Sequence, residues 1–126
     1  MKIRIQGNSI RLRLAQQEVA DLSEHGSVDD CIAFGPNAAS QHLVYRLVGA
    51  DVSEVSTHYG EGCVTVQIPQ KDAQEWVSNN VVGFENDVPI DGADSIRVVV
   101  EKDFKCLEAR PGEEDLFPNP HTDASC

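Results

Sequence analysis

The first fourteen residues, Met1 to Leu14, read MKIRIQGNSIRLRL, and this stretch determines what kind of structure the chain can form. Apolar and basic residues alternate in it, and successive side chains of a strand point to opposite faces of a sheet. The Gly7-Asn8 pair between the two alternating segments predicts a tight turn. We therefore expect a hairpin of residues 2–6 and 9–14, with isoleucine and leucine facing the core and the basic residues on the other face.

Further strands and two helices are predicted along the chain. Strands are predicted at 28–34, 42–48, 54–59, 63–68, 81–85 and 95–101, helices at 16–25 and 70–78, and loops at 35–40 and 86–94. Gly26 stands where the first helix should stop, and Pro69 stands where a proline is tolerated at the start of the second. Gly60-Glu61-Gly62 marks a second hairpin.

The strand–helix unit of the first half is repeated at an offset of 54 residues. Alternating apolar positions of the two strands coincide, and Leu22 of the first helix aligns with Trp76 of the second. The sequence thus predicts two ββαββ units in one α+β domain. We expect a mostly antiparallel curved sheet or half-barrel of about eight strands with two short helices, and a core that includes Leu22 and Trp76.

Length, composition and net charge limit which classes of protein the chain can belong to. The 126 residues are enough for one domain, and 40% hydrophobic with 25% charged residues is ordinary for a globular chain. The net charge of −11 disfavours binding to nucleic acid and to anionic membranes. No secretory signal and no apolar run of membrane-spanning length is visible, so we expect a cytoplasmic protein with reduced thiols.

The domain is predicted to cover residues 1–107, followed by an acidic and flexible C-terminal tail at 108–126. Two alternatives remain for this tail. Leu116 and Phe117 could anchor it to the domain, or its carboxylates could lie across the arginine face and mask it.

Two resemblances add to this interpretation. The opening MKIRI-x-GNSIRLRL, the segment EKDFKCL at 101–107 and FPNP at 117–120 resemble a family of small bacterial proteins with no assigned function. That resemblance implies a bacterial source and supplies no catalytic residue. The duplicated plan is also similar to the CYTH-like triphosphate tunnel fold, which implies basic residues lining a tunnel and carboxylates holding a divalent metal. Its Glu-x-Glu-x-Lys strand motif is absent, because Lys2-Ile-Arg-Ile-Gln6 stands in that place.

The candidate site is a set of arginines that occupy predicted strands opposite apolar positions. Five of the six arginines belong to it: Arg4, Arg11, Arg13, Arg46 and Arg97. Guanidinium groups favour bidentate contacts with phosphate or carboxylate, so these residues predict an anion-binding face. The alternatives are cross-strand ion pairs with Glu54, Glu85 and Glu101, and a protein-docking surface.

No metal site, cofactor or catalytic residue is predicted. Cys31, Cys63 and Cys106 are interpreted as small apolar residues, and His121 with Cys126 forms an isolated pair that no second ligand pair completes. Glu101 and Asp103 are close enough in sequence to share a cation, but they are interpreted as a charged strand exit.

Three functions follow as hypotheses. The first is a non-enzymatic binding or regulatory protein whose basic face holds a phosphate-containing small molecule or an acidic peptide. The second is a phosphohydrolase of the triphosphate tunnel type, in which Glu54, Glu85 and Glu101 would hold a metal. The third is a structural homodimer without a ligand. No nucleic acid and no membrane is expected as a partner, and whether the chain is an enzyme is left open.

Overall fold

The computed structural model describes residues 1–92 and 94–104, which form eight strands, three short helices and one 3₁₀ turn. In chain order these are β1 (Lys2–Ile5), β2 (Ser9–Leu14), α1 (Gln16–His25), β3 (Ser27–Ala33), α2 (Ala38–Gln41), β4 (His42–Ala50), β5 (Ser56–Gly60), β6 (Cys63–Pro69), α3 (Gln70–Glu75), the 3₁₀ turn (Trp76–Ser78), β7 (Gly83–Pro89) and β8 (Ser95–Lys102). The α+β class and the number of strands predicted from the sequence are confirmed.

The strands lie in two sheets of four rather than in one. The first sheet has the order β1-β2-β8-β7, and the second has the order β3-β4-β6-β5. In each sheet the central pair is parallel and the two outer pairs are antiparallel. Within the described residues both sheets keep open edges, so no closed tunnel forms.

The predicted duplication is visible in the order and the pairing of the elements. The series β1-β2-α1-β3-β4 corresponds to β5-β6-α3-β7-β8. β2 pairs with β8 of the other half, and β6 in the same way pairs with β4. Each sheet therefore contains one hairpin from each half, and the halves are joined by pairing that is remote in sequence.

The core lies between the two sheets and the helices. Leu12, Leu47, Val66 and Val98 contribute from the sheets, and Leu22 contributes from α1. Trp76 is also fully buried, as predicted. Its Nε1–H donates to the carbonyl of Val81 at 2.7 Å, and its ring meets that of Phe84 edge-on with centroids 5.1 Å apart. The indole thus fills core volume while its one polar atom is satisfied.

Local chemistry accounts for the ends of α1. The Glu18 side chain accepts from the backbone N–H of Ala15 at 2.9 Å, which ties down the first turn. At the other end Gly26 has φ +84°, and its N–H donates to the carbonyl of Leu22 at 2.9 Å. Glycine adopts this left-handed conformation without a Cβ clash, so the helix stops where the sequence predicts.

Two segments differ most from the sequence prediction, while other strand limits shift by one or two residues and the predicted helix 70–78 ends in the 3₁₀ turn. Helix α2 lies within the predicted loop 35–40 and its flank, where the Asn37 side chain accepts from the N–H groups of Ala39 and Ser40. Strand β7 continues to Pro89 in place of a loop, because its residues pair with β8 as far as Ser95. The predicted boundary at 107 and the acidic tail 108–126 lie outside the described residues.

In the described part of the chain, no helix combines the length and the apolar character needed to cross a membrane.

Candidate anion-binding surface

The alternation of β2 places its leucines and arginines on opposite faces of the first sheet. Leu12 and Leu14 are buried in the core, so Arg11 and Arg13 lie on the outer face. The neighbouring strand β1 adds two more cations, because the register sets Arg4 opposite Arg11 and Lys2 opposite Arg13. We call Lys2, Arg4, Arg11 and Arg13 the basic strip.

Like charges face each other twice across the β1–β2 pair, and such pairs disfavour the sheet. Glu101 of β8 offsets part of this repulsion, since one carboxylate oxygen lies 2.8 Å from Arg13 Nε and 3.2 Å from Arg11 Nη1. Asp103 accepts from Lys2 Nζ at 2.7 Å. Within residues 1–92 and 94–104, the four cations of the strip therefore have two carboxylates as close partners.

Arg4 differs from the other members of the strip. Its Nη2 donates to the amide oxygen of Gln6 at 3.1 Å, and no described carboxylate is within ion-pair distance of its guanidinium. Its side chain is exposed, and Arg11 stands opposite it. Arg4 is thus the cation of the strip that the described residues leave most open to an external anion.

Arg97 shares this outer face but lies near its other edge. Its guanidinium is 2.9 Å from Glu85 and 3.4 Å from Asp87, both on β7. Partial loss of hydration lowers the pKa of Arg97, but the hydrogen bonds and charges of these two carboxylates outweigh that effect and raise the pKa above its usual value. Arg97 therefore belongs to an ion-pair group in which two carboxylates surround one guanidinium.

Arg46 lies on the second sheet, where its Nε donates to Asp29 at 3.3 Å. The structure thus brings four of the five predicted arginines to one face and separates the fifth from them. On the second sheet, Cys63, Thr65 and Gln67 of β6 occupy the outward positions that correspond to those of β2. The concentration of positive charge is not repeated in the second half.

The predicted carboxylate partners are found in part. Glu85 and Glu101 pair with arginines, whereas the described residues show no arginine partner for Glu54. The sequence prediction missed Asp29, Asp87 and Asp103 as partners. These ion pairs are determined by the strand register, which cannot be read from a local sequence pattern. The hydrolase hypothesis needs Glu85 and Glu101 as metal ligands, and in the structure both carboxylates are paired with guanidinium groups.

A second polar group lies on the core-facing side of the second sheet. Asp30 stands opposite Tyr45 across β3 and β4, and Glu18 of α1 is close to both. Burial, followed by the charge and hydrogen bond of Asp30, raises the pKa of Tyr45 above its usual value. The amino group of Met1 contacts Glu18 and lies 3.6 Å from Asp30, so one cation here offsets part of the charge of two carboxylates.

A cavity of about 380 Å³ lies where the described chain ends. It is lined by Leu14, Gln16, Val19, Val77, Lys102, Asp103 and Phe104. Lys102 is already committed, because its Nζ donates to the carbonyl of Asn79 at 2.8 Å and lies 5.8 Å from the centre of the Trp76 ring. The cavity wall is therefore mixed in polarity, and its two charged side chains are already engaged, Lys102 with Asn79 and Asp103 with Lys2.

The cysteines of the described chain are not placed for a disulfide. Cys31 of β3 and Cys63 of β6 both neighbour Val44 of the intervening strand β4, so they are about 10 Å apart, too far to be bridged. Residues 1–92 and 94–104 contain no group of three His, Cys, Asp or Glu side chains arranged for a metal ion. Cys106, His121 and Cys126 lie outside the described residues.

The comparison with known proteins identifies a family but no function. The model of a family of unknown function, DUF7009, matches residues 1–121. This match confirms the resemblance to a family without an assigned function. No curated protein matches the chain, and no solved structure matches it. The resemblance to the triphosphate tunnel fold gains no support.

Proposed function

The chain belongs to the DUF7009 family, and we propose that this member binds an acidic polypeptide segment along its basic strip. The observation that carries the proposal is the β1–β2 register, which sets Arg4 against Arg11 and Lys2 against Arg13. Such an arrangement disfavours the isolated sheet and favours an anionic occupant. The role is that of a non-enzymatic binding or regulatory module.

The shape of the strip favours an extended chain over a small anion. Arg11 and Arg13 are two residues apart on one strand, a spacing of roughly 7 Å. Carboxylates on one face of an extended peptide repeat at the same distance, so each can meet one guanidinium group. The strip lies on the open outer face of the sheet, which leaves room for a chain to run along it.

Charge and exposure also support this occupant. Exposure of the side chains falls from 75% for Lys2 to 40% for Arg11 and 20% for Arg13, so the strip has both an accessible and a partly covered part. Because the whole chain carries −11, a highly charged polyanion is repelled at long range. A short segment with a few carboxylates escapes most of that repulsion once it lies within a Debye length of the strip.

The proposal is tested by fluorescence anisotropy with a labelled peptide of alternating aspartate and glutamate at low ionic strength. We expect Arg4→Ala to weaken binding about threefold, the effect of one exposed ion pair. Arg46→Ala is the matched control, since it removes the same charge from an exposed arginine on the other sheet. Equal loss in both variants would contradict the proposal.

A further inference from the structure

We infer that the chain's own acidic segment, residues 108–115, occupies the basic strip and competes there with an external acidic partner. This inference rests on the proposed function, because it assigns an internal occupant to the same surface. It gives the surface a regulatory property: an external segment binds only by displacing the internal one.

The described chain ends beside the strip. Strand β8 is the direct neighbour of β2, and the N–H of Asp103 donates to the carbonyl of Leu14 at 2.9 Å. The carboxylate of Asp103 is 2.7 Å from Lys2 Nζ. The penultimate described residue is thus an acid paired with a member of the strip, and the acidic segment 108–115 begins five residues further along the chain.

The charges of the two parts are complementary. Residues 108–115 contain four acids, of which Glu113, Glu114 and Asp115 are consecutive, and one arginine. Among the described residues, the strip has two close carboxylates for its four cations, and Arg4 has none. A few further carboxylates would balance the strip.

The connection is long enough to permit the contact. Eight residues lie between Phe104 and Glu113, and the nine residue steps that join them span up to about 30 Å when extended. From β8 to β1 the sheet is about 10 Å wide, and the strip extends over a few residues of each strand. A tether of this length gives an effective concentration in the millimolar range, so even weak ion pairs become populated. The family model also extends through this segment, to residue 121.

The test uses the full chain with Glu113→Gln, Glu114→Gln and Asp115→Asn combined. A control variant neutralises three exposed acids elsewhere, Glu24→Gln, Glu54→Gln and Asp91→Asn, and has the same net charge. We expect the first variant to bind the labelled acidic peptide about tenfold more tightly than the control does, because it lacks the internal competitor. In spectra of the arginine Nε–H groups, Arg4 and Arg11 should shift in the first variant alone.

The two proposals fail in distinguishable ways. If both variants bind the peptide equally and the Arg4 and Arg11 signals are unchanged, the internal occupant is excluded, while Arg4-dependent binding by the full chain still supports the proposed function. If no chain binds the peptide, the proposed function fails and the spectra alone decide the inference. Unchanged signals then overturn it, and selective shifts sustain it.

Discussion

Successive residues of β2 alternate between the apolar core and the charged outer face. Leu12 and Leu14 are buried and hold the strand in the core, and burial of each such side chain contributes about 1.5–3 kcal/mol. Arg11 and Arg13 face water and face cations of β1, an arrangement that costs stability. The apolar face of β2 therefore holds the strand in the sheet, and its opposite face carries Arg11 and Arg13 of the basic strip.

In the chain that carries Glu113→Gln, Glu114→Gln and Asp115→Asn, replacing Arg4 by glutamate is expected to stabilise the fold. Arg4→Glu converts the like-charge pair with Arg11 into an opposite-charge pair, which should raise the free energy of unfolding by roughly 0.5–1 kcal/mol. Urea denaturation followed by circular dichroism measures this change, and added salt should diminish it. Arg46→Glu is the control, and it should destabilise the chain slightly because it places a second carboxylate beside Asp29. A loss of stability in Arg4→Glu would show that the register does not set these charges against each other.

Among the elements, those with strong local periodicity were predicted with the greatest accuracy. β2 and α1 have the predicted limits, because alternation, the 3.6-residue period and Gly26 are all local signals. α2 was missed although Asn37 is a favourable N-cap residue, since one turn of helix leaves little periodic signal. The end of β7 was missed because pairing with β8 determines it.

The contact between α3 and β4 depends on a glycine. A Cβ added to Gly49 would lie 2.8 Å from the Cβ of Ala73, closer than packed carbons allow. We expect Gly49→Ala to lower the free energy of unfolding by about 1–3 kcal/mol, the usual cost of overpacking. Urea denaturation of Gly49→Ala, Ala73→Gly and the double variant forms a thermodynamic cycle. The two single losses of unfolding free energy should sum to about 1 kcal/mol more than the loss measured for the double variant. If the losses are simply additive, the contact between the two residues is contradicted.

The exchange of hairpins between the halves organises the whole molecule. Both sheets contain a parallel central pair, β2 with β8 and β4 with β6, and each of these pairs joins residues of different halves. Neither half can therefore complete a sheet by itself. The exchange also brings Glu101 beside Arg11 and Arg13, residues that are about ninety positions away in sequence.

Separate halves are thus expected to be unfolded. Fragments 1–53 and 54–126 should each lack a cooperative urea transition, because each has only two hairpins and half of the core. Mixing them should restore a cooperative transition by circular dichroism. A cooperative transition of either fragment alone would contradict the reliance of each sheet on both halves.

The sequence by itself determined all the elements except α2 and the end of β7, together with their duplicated order, the main core positions and the arginine-rich outer face, because alternation and helical periodicity are local properties of a chain. Only the tertiary structure decided that the strands form two sheets, that Arg46 is separated from the other arginines, and that Arg4 faces Arg11 while Glu101 serves two arginines. The Arg4–Arg11 register depends on the geometry of the β1–β2 turn, whereas the two-sheet arrangement and the position of Glu101 depend on pairing between distant strands. Such pairing is selected by burial of the shared core, which no local pattern encodes.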